Sequence, residues 1–246
     1  MTGKSFFVTI AAVLLVFLAP ALAMAQTDEP SPETEELQTE ALKPEDVQPE
    51  EKTEPQPRAG NHFWIAGFGN EFILNTQAES APSPIRLFIT SGVNVRIARS
   101  LFYFSPQINA SAGYFLLNDG IPAPAEIENR TALVFELMTD VMFTCLLPTD
   151  KVLINFGIGA SVPARYGFLA SGVPADEAAD VDEINAFFWK DLNWLYPSFS
   201  FSMDFPVTKD FNAGFCLKGY IPLGAAVAGR GLDTGRISLS GRITFL

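Results

Sequence analysis

One histidine, two distant cysteines and charged side chains at only 18% of 246 residues leave little from which to build a metal centre, a disulfide framework or acid–base catalysis. A basic cluster is missing too. The chain sets 16 Lys and Arg against 28 Asp and Glu, for a formal net charge of −12, which argues against nucleic acid as a partner. Beyond residue 25 no stretch reads as a continuous apolar helix of the ~18 residues needed to cross a bilayer. If the chain crosses a membrane, it does so without helices.

What is present divides into three zones. Residues 1–25 open with Lys4, continue through an apolar run from Phe6 to Leu18 and end in Pro20 and small residues. That pattern predicts a secretory signal peptide, cleaved after Ala25 or after Ala23, with an uncleaved anchor helix as the competing reading. Residues 26–59 form the second zone. Its residues 26–58 carry 11 acidic and 3 basic side chains and no aromatic residue, with Pro30, Pro32, Pro44, Pro49, Pro55 and Pro57 among Glu, Gln and Thr. Such a composition buries too little apolar area to offset the entropy of ordering, so a disordered periplasmic spacer is expected. A tether to peptidoglycan or to a periplasmic protein is the more specific expectation. Residues 60–246, rich in Phe, Gly and β-branched residues, are the folded zone.

Here the apolar pattern has period two. Eight segments alternate, approximately 61–74, 84–98, 101–117, 130–147, 151–168, 192–205, 209–224 and 236–246. In the second, Leu87, Ile89, Val93, Val95 and Ile97 share one face while Arg86, Thr90, Gly92, Asn94 and Arg96 share the other. The sixth sets Phe199, Phe201, Met203 and Phe205 against Ser198, Ser200, Ser202 and Asp204. Alternation alone fits a soluble barrel or one turned inside out, and size separates them. An eight-stranded lumen is only wide enough to be filled by side chains. Gly, Ser and Asn fit such a lumen, whereas Phe and Ile suit lipid. The segments also exceed the usual five or six residues of soluble strands and meet the ~9 to 11 of a tilted membrane strand.

The connections agree. Those at 75–83, 118–129, 169–191 and 225–235 are long, while Arg99-Ser100, Pro148-Thr149-Asp150 and Pro206-Val207-Thr208 are short. Long outer loops alternating with tight periplasmic turns are expected of outer-membrane barrels. With these residues in view, the chain resembles the small eight-stranded outer-membrane proteins of the OmpA, OmpX and OmpW type. The C-terminal RISLSGRITFL, 236–246, resembles their assembly signal, with Leu246 added after the aromatic Phe245. The resemblance implies an all-β, antiparallel up-and-down transmembrane barrel in the outer membrane, in contact with its lipids and handled by the barrel-assembly machinery. It also implies passage of small or apolar molecules, as in the OmpW type, against a non-transporting role in adhesion, host interaction or envelope anchoring.

Inward-facing charges fall at similar heights for Glu71, Arg86, Glu136, Asp140, Lys218 and Arg236, which are expected to form one ion network filling the lumen or gating it. Pro163, Pro197 and Pro222 lie near the outer ends of neighbouring segments, where each removes a ladder donor. They mark a frayed rim or, by the OmpW resemblance, a sideways opening for a small apolar solute. In the longest loop, Phe187, Phe188 and Trp189 are expected at the membrane interface, and the carboxylates of its tip in water. Catalysis is not expected. Outer-membrane enzymes of this size use a His with a Ser at the outer surface, and His62 lies at the periplasmic start of the first segment. No cofactor or metal is expected, and Cys145 and Cys216 face opposite ways on non-adjacent segments, too poorly placed for a disulfide.

Overall fold

The computed structural model describes residues 62–75, 85–97, 101–149 and 151–245. The expected signal peptide and spacer lie outside them.

Eight long strands close into a ring: β1 (His62–Ile73), β2 (Ile85–Arg96), β3 (Phe102–Asn118), β5 (Ala132–Pro148), β6 (Leu153–Leu169), β7 (Tyr196–Pro206), β8 (Phe211–Tyr220) and β9 (Arg236–Phe245). Each pairs antiparallel with its ring neighbours, and closure comes from β9 on β1 and β2 on β3. Following paired residues once around the ring, from Val95 through Phe104, Phe143, Ile158, Phe199, Gly219, Ile237 and Phe72, returns to β2 at Ile85. The shift from 95 to 85 is ten residues. For eight strands this stagger corresponds to a tilt of about 40°.

Alternation decides the two faces. On β9 the outward residues Ile237, Leu239, Ile243 and Phe245 are exposed, and Arg236, Ser238, Ser240, Arg242 and Thr244 are buried between them. Phe68, Leu87 and Ile158 are each more than 70% exposed, at 72%, 73% and 71%. No single chain in water would present such a belt around a polar interior. With every long strand paired on both sides, the barrel meets the condition for lying in hydrocarbon. Among the described residues no helix is long and apolar enough to cross a membrane.

The periplasmic turns are short, as expected. In one, the Thr149 hydroxyl donates to the Val152 carbonyl at 2.8 Å and accepts its N–H at 3.1 Å; in another, the Thr208 hydroxyl accepts the N–H groups of Asp210 and Phe211. The outer connections hold more structure than the alternating pattern predicts. A short β4 (Ile121–Ala125) folds back on β3 at Tyr114–Asn118, in the position that β2 leaves when its own ladder with β3 stops at Phe88 and Ser111. The longest loop contains a helix, α1 (Ala178–Trp189), and a one-turn helix, α2 (Leu223–Val227), follows β8. Pro222 therefore lies beyond its strand, as the residue before α2.

Candidate functional site in the barrel lumen

The lumen is filled in layers. At the periplasmic mouth Phe63, Ile65, Tyr103, Leu146 and Leu153 pack together as an apolar plug. Just inside it, Arg242 on β9 reaches over Gly214 of β8 to hold Asp204 of β7 with two guanidinium nitrogens, Nε at 2.7 Å and Nη2 on the second oxygen. Gly214 is required there, because a Cβ would lie 2.5 Å from Asp204 Oδ1. Higher up, Lys218 Nζ of β8 crosses to Asp140 Oδ2 of β5 at 2.7 Å and to Gln107 Oε1 of β3 at 2.8 Å; Asn109 and Tyr220 donate to the same Asp140 oxygen.

Above that lies the densest layer. Glu71 and Arg86, direct partners on β1 and β2, are bonded to each other; Glu136 and Arg165, direct partners on β5 and β6, are bonded at 2.6 Å. Arg236 ties the two together. It bonds Glu136 with Nη1 and, at 2.8 Å, with Nη2, and it reaches both oxygens of Glu71 at 3.3 Å. Since β9 and β5 are four places apart in a ring of eight, Arg236 and Glu136 join opposite walls. Gly113 leaves room for the Arg86 stem, which a Cβ would approach to 2.6 Å. The gap between the upper two layers, bordered by Glu71, Asn109, Glu136 and Tyr220, has no room for a water molecule.

All six expected lumen charges are therefore inside and buried, but as two clusters rather than one network. Glu71, Arg86, Glu136 and Arg236 share the upper layer, and Asp140 with Lys218 forms the next. The sequence reading left out three members. Arg165, Asp204 and Arg242 all carry the inward parity of their strands, which was the available signal; what it lacked was the stagger that sets their heights. Counting Asp233 in the last outer loop, the buried charges among the described residues are five acids and five bases. Charge balance of this kind is needed where an unpaired ion would be shielded from water.

The outer mouth is closed by α1. Val181, Ile184 and Phe188, spaced for one face of a helix, pack on Ile73, Phe115, Ala132 and Val134. Asp180 in the first turn complements the positive end of the helix dipole. Phe188 is thus buried rather than interfacial and Phe187 is partly buried beside it, which corrects the expectation for these two, while Trp189 is exposed. The period changes from two to 3.6 here, and an acidic run adjoining aromatics hid it. Of the two free cysteines, Cys216 is buried and Cys145 lies on the outward face of β5. His62 is exposed at the start of β1.

An apolar belt outside, ion pairs inside and a ring of strands closed on itself leave one setting. This is an eight-stranded barrel of the outer-membrane type. No protein-family model matches the chain, and no curated protein matches its sequence. Solved structures similar to this barrel include Neisserial surface protein A, at 9% identity over 76% of this chain and 97% of that one, TM-score 0.44. Ail, the attachment invasion locus protein of Yersinia pestis, is similar at 5% identity over 75% and 95%, TM-score 0.41. The N-terminal barrel domain of Pseudomonas aeruginosa OprF is similar at 9% identity over 75% and 96%, TM-score 0.39.

Proposed function

We propose that this outer-membrane barrel is a closed, non-conducting scaffold whose work is done at its surfaces, in adhesion, host interaction or envelope anchoring. The observation that carries this reading is the Arg236–Glu136 pair, which joins opposite walls of the lumen between two apolar plugs. An ion would have to break a buried layer of paired carboxylates and guanidiniums to pass. Outside, the barrel works in contact with outer-membrane lipids, and its C-terminal strand is the part presented to the assembly machinery. Peptidoglycan or a periplasmic protein is the partner proposed for residues 26–59. The proposal includes no catalysis: the single His is at the end of the barrel opposite the outer loops.

Planar-bilayer conductance tests it, on protein that shows the heat-dependent gel shift of a closed barrel. Silence is expected for the wild type. Discrete steps that change when Glu71 or Arg236 is substituted would overturn the reading and favour a charge-pair gate.

A second reading, sideways passage of a small apolar solute, is supported by one observation. The ladder between β6 and β7 stops at Ser161 and Tyr196, close to Pro163 and Pro197, and Pro222 stands where β8 has already ended. Protection of the outer loops from proteolysis by an added apolar solute, lost on substituting these prolines, is the result this reading requires.

A further inference from the structure

Above Ser161, β6 runs on for eight residues, 162–169, paired with β5 on one edge and, among the described residues, with no strand on the other. At Gly167 a side chain takes the place of the missing strand. Asn185 of α1 accepts the Gly167 N–H at 2.7 Å and donates to its carbonyl at 3.0 Å, the two bonds that an antiparallel neighbour would exchange. The joint between α1 and β7 is unusual independently. Asp191 and Leu192 have φ of +50° and +62°, two consecutive non-glycine residues in the left-handed region, one of them bulky.

The register connects these two features. Paired residue numbers in β6 and β7 sum to 357, as for Ser161 with Tyr196. Continued upward, residues 190–195 fall opposite 162–167, and Lys190 falls opposite Gly167. Straightening the joint would relieve both left-handed residues and lay this segment on the free edge, where it would take over the bonds that Asn185 now makes. Pro163, with no N–H to offer, limits how well the extended segment can pair. The docked helix is held in turn by Asn193, whose amide donates to the Phe187 carbonyl at 3.0 Å, and by the Arg230 guanidinium over the Phe187 ring at 5.0 Å.

We propose that α1 is a releasable lid: in a minor state it leaves the outer mouth while residues 190–195 extend β7 along β6. Arg165 of the upper layer loses its contact with Phe188 when the helix leaves but keeps Glu136 and the Tyr196 hydroxyl, so the lid opens the mouth without opening a pore. Two arrangements of one segment, each satisfying the same strand edge, are the kind of bistable element on which a surface ligand can act.

Native-state hydrogen exchange on the protein purified from membranes into lipid bilayers tests this. In the wild type, amides of α1 should exchange at least tenfold faster than those of β5, through an opening that leaves the heat-dependent gel shift intact. Asn185→Ala should raise the exchange of α1 by about tenfold, the size expected for two hydrogen bonds lost from the closed state alone. Leu192→Gly should make opening several-fold rarer, because glycine removes the cost of positive φ from the closed state and favours a strand less in the open one. Exchange of α1 at the rate of β5, no effect of Asn185→Ala, or faster exchange in Leu192→Gly would each overturn the proposal; the wild-type comparison stands even if a variant fails to fold.

Discussion

The guanidinium of Arg165 lies 4.9 Å from the centre of the Phe188 ring, so a charge on the barrel wall touches the helix that covers its mouth. The same guanidinium bonds Glu136 at 2.6 Å and the Tyr196 hydroxyl at 2.9 Å. Lid and lumen share one side chain. Phe188→Ala is expected to weaken α1 docking by about 3 kcal/mol, the lower end for a buried Phe truncation. Faster hydrogen exchange of the α1 amides, with an unchanged barrel melting temperature, is the measurement. Equal loss of both would show that α1 is integral to the barrel.

Glu136 meets three guanidiniums, those of Arg86, Arg165 and Arg236. Glu136→Gln leaves Arg86 and Arg236 with Glu71 and leaves Arg165 with the Tyr196 hydroxyl, and destabilisation of about 3 to 5 kcal/mol is expected for breaking such a buried arrangement from one side. Urea unfolding in lipid vesicles, followed by the gel shift, reads this out. A cost below about 1 kcal/mol would mean that water reaches this layer and screens it.

Asp204 and Arg242 form a layer of their own, so a double-mutant cycle is clean. Asp204→Asn and Arg242→Met should each cost more singly than they do together, because the single variants leave a buried charge without its partner. Additive losses would show that the pair contributes nothing as a pair.

Leu239, outward on β9 between Ile237 and Gly241, tests the membrane-facing side. Leu239→Arg is expected to destabilise the barrel in bilayers by about 2 to 4 kcal/mol if it lies near mid-depth. The check is folding yield in vesicles against Leu239→Met. A tolerated arginine would place this face in water.

The two thiols offer a chemical test of parity. A membrane-soluble maleimide should label Cys145, outward on β5, and leave the buried Cys216 untouched until the barrel is unfolded. Labelling of Cys216 in the folded barrel would mean that its strand is out of register.

The order of strands, their inward and outward faces and the alternation of long and short connections were legible in residues 60–246, because side-chain direction in a strand depends only on parity along the chain. Leu239 and Cys145 could be placed outside, and Lys218 and Cys216 inside, from neighbours one or two positions away. The helix α1 was not legible. Its seven-residue apolar spacing, Val181 to Phe188, is too short to stand out beside acidic residues and two adjacent phenylalanines, and its stability comes from packing on β3, β5 and β6 rather than from its own sequence.

Which charges meet was decided elsewhere. Parity puts Glu136, Asp140, Arg236 and Lys218 in the lumen, but the ten-residue stagger of the closed ring sets their heights, and it sorts them into separate layers. Local sequence determines what faces in, because the strand repeats every two residues. Only closure of the barrel decides which opposite walls are joined, because the partners are about a hundred residues apart and no local signal carries their relative height.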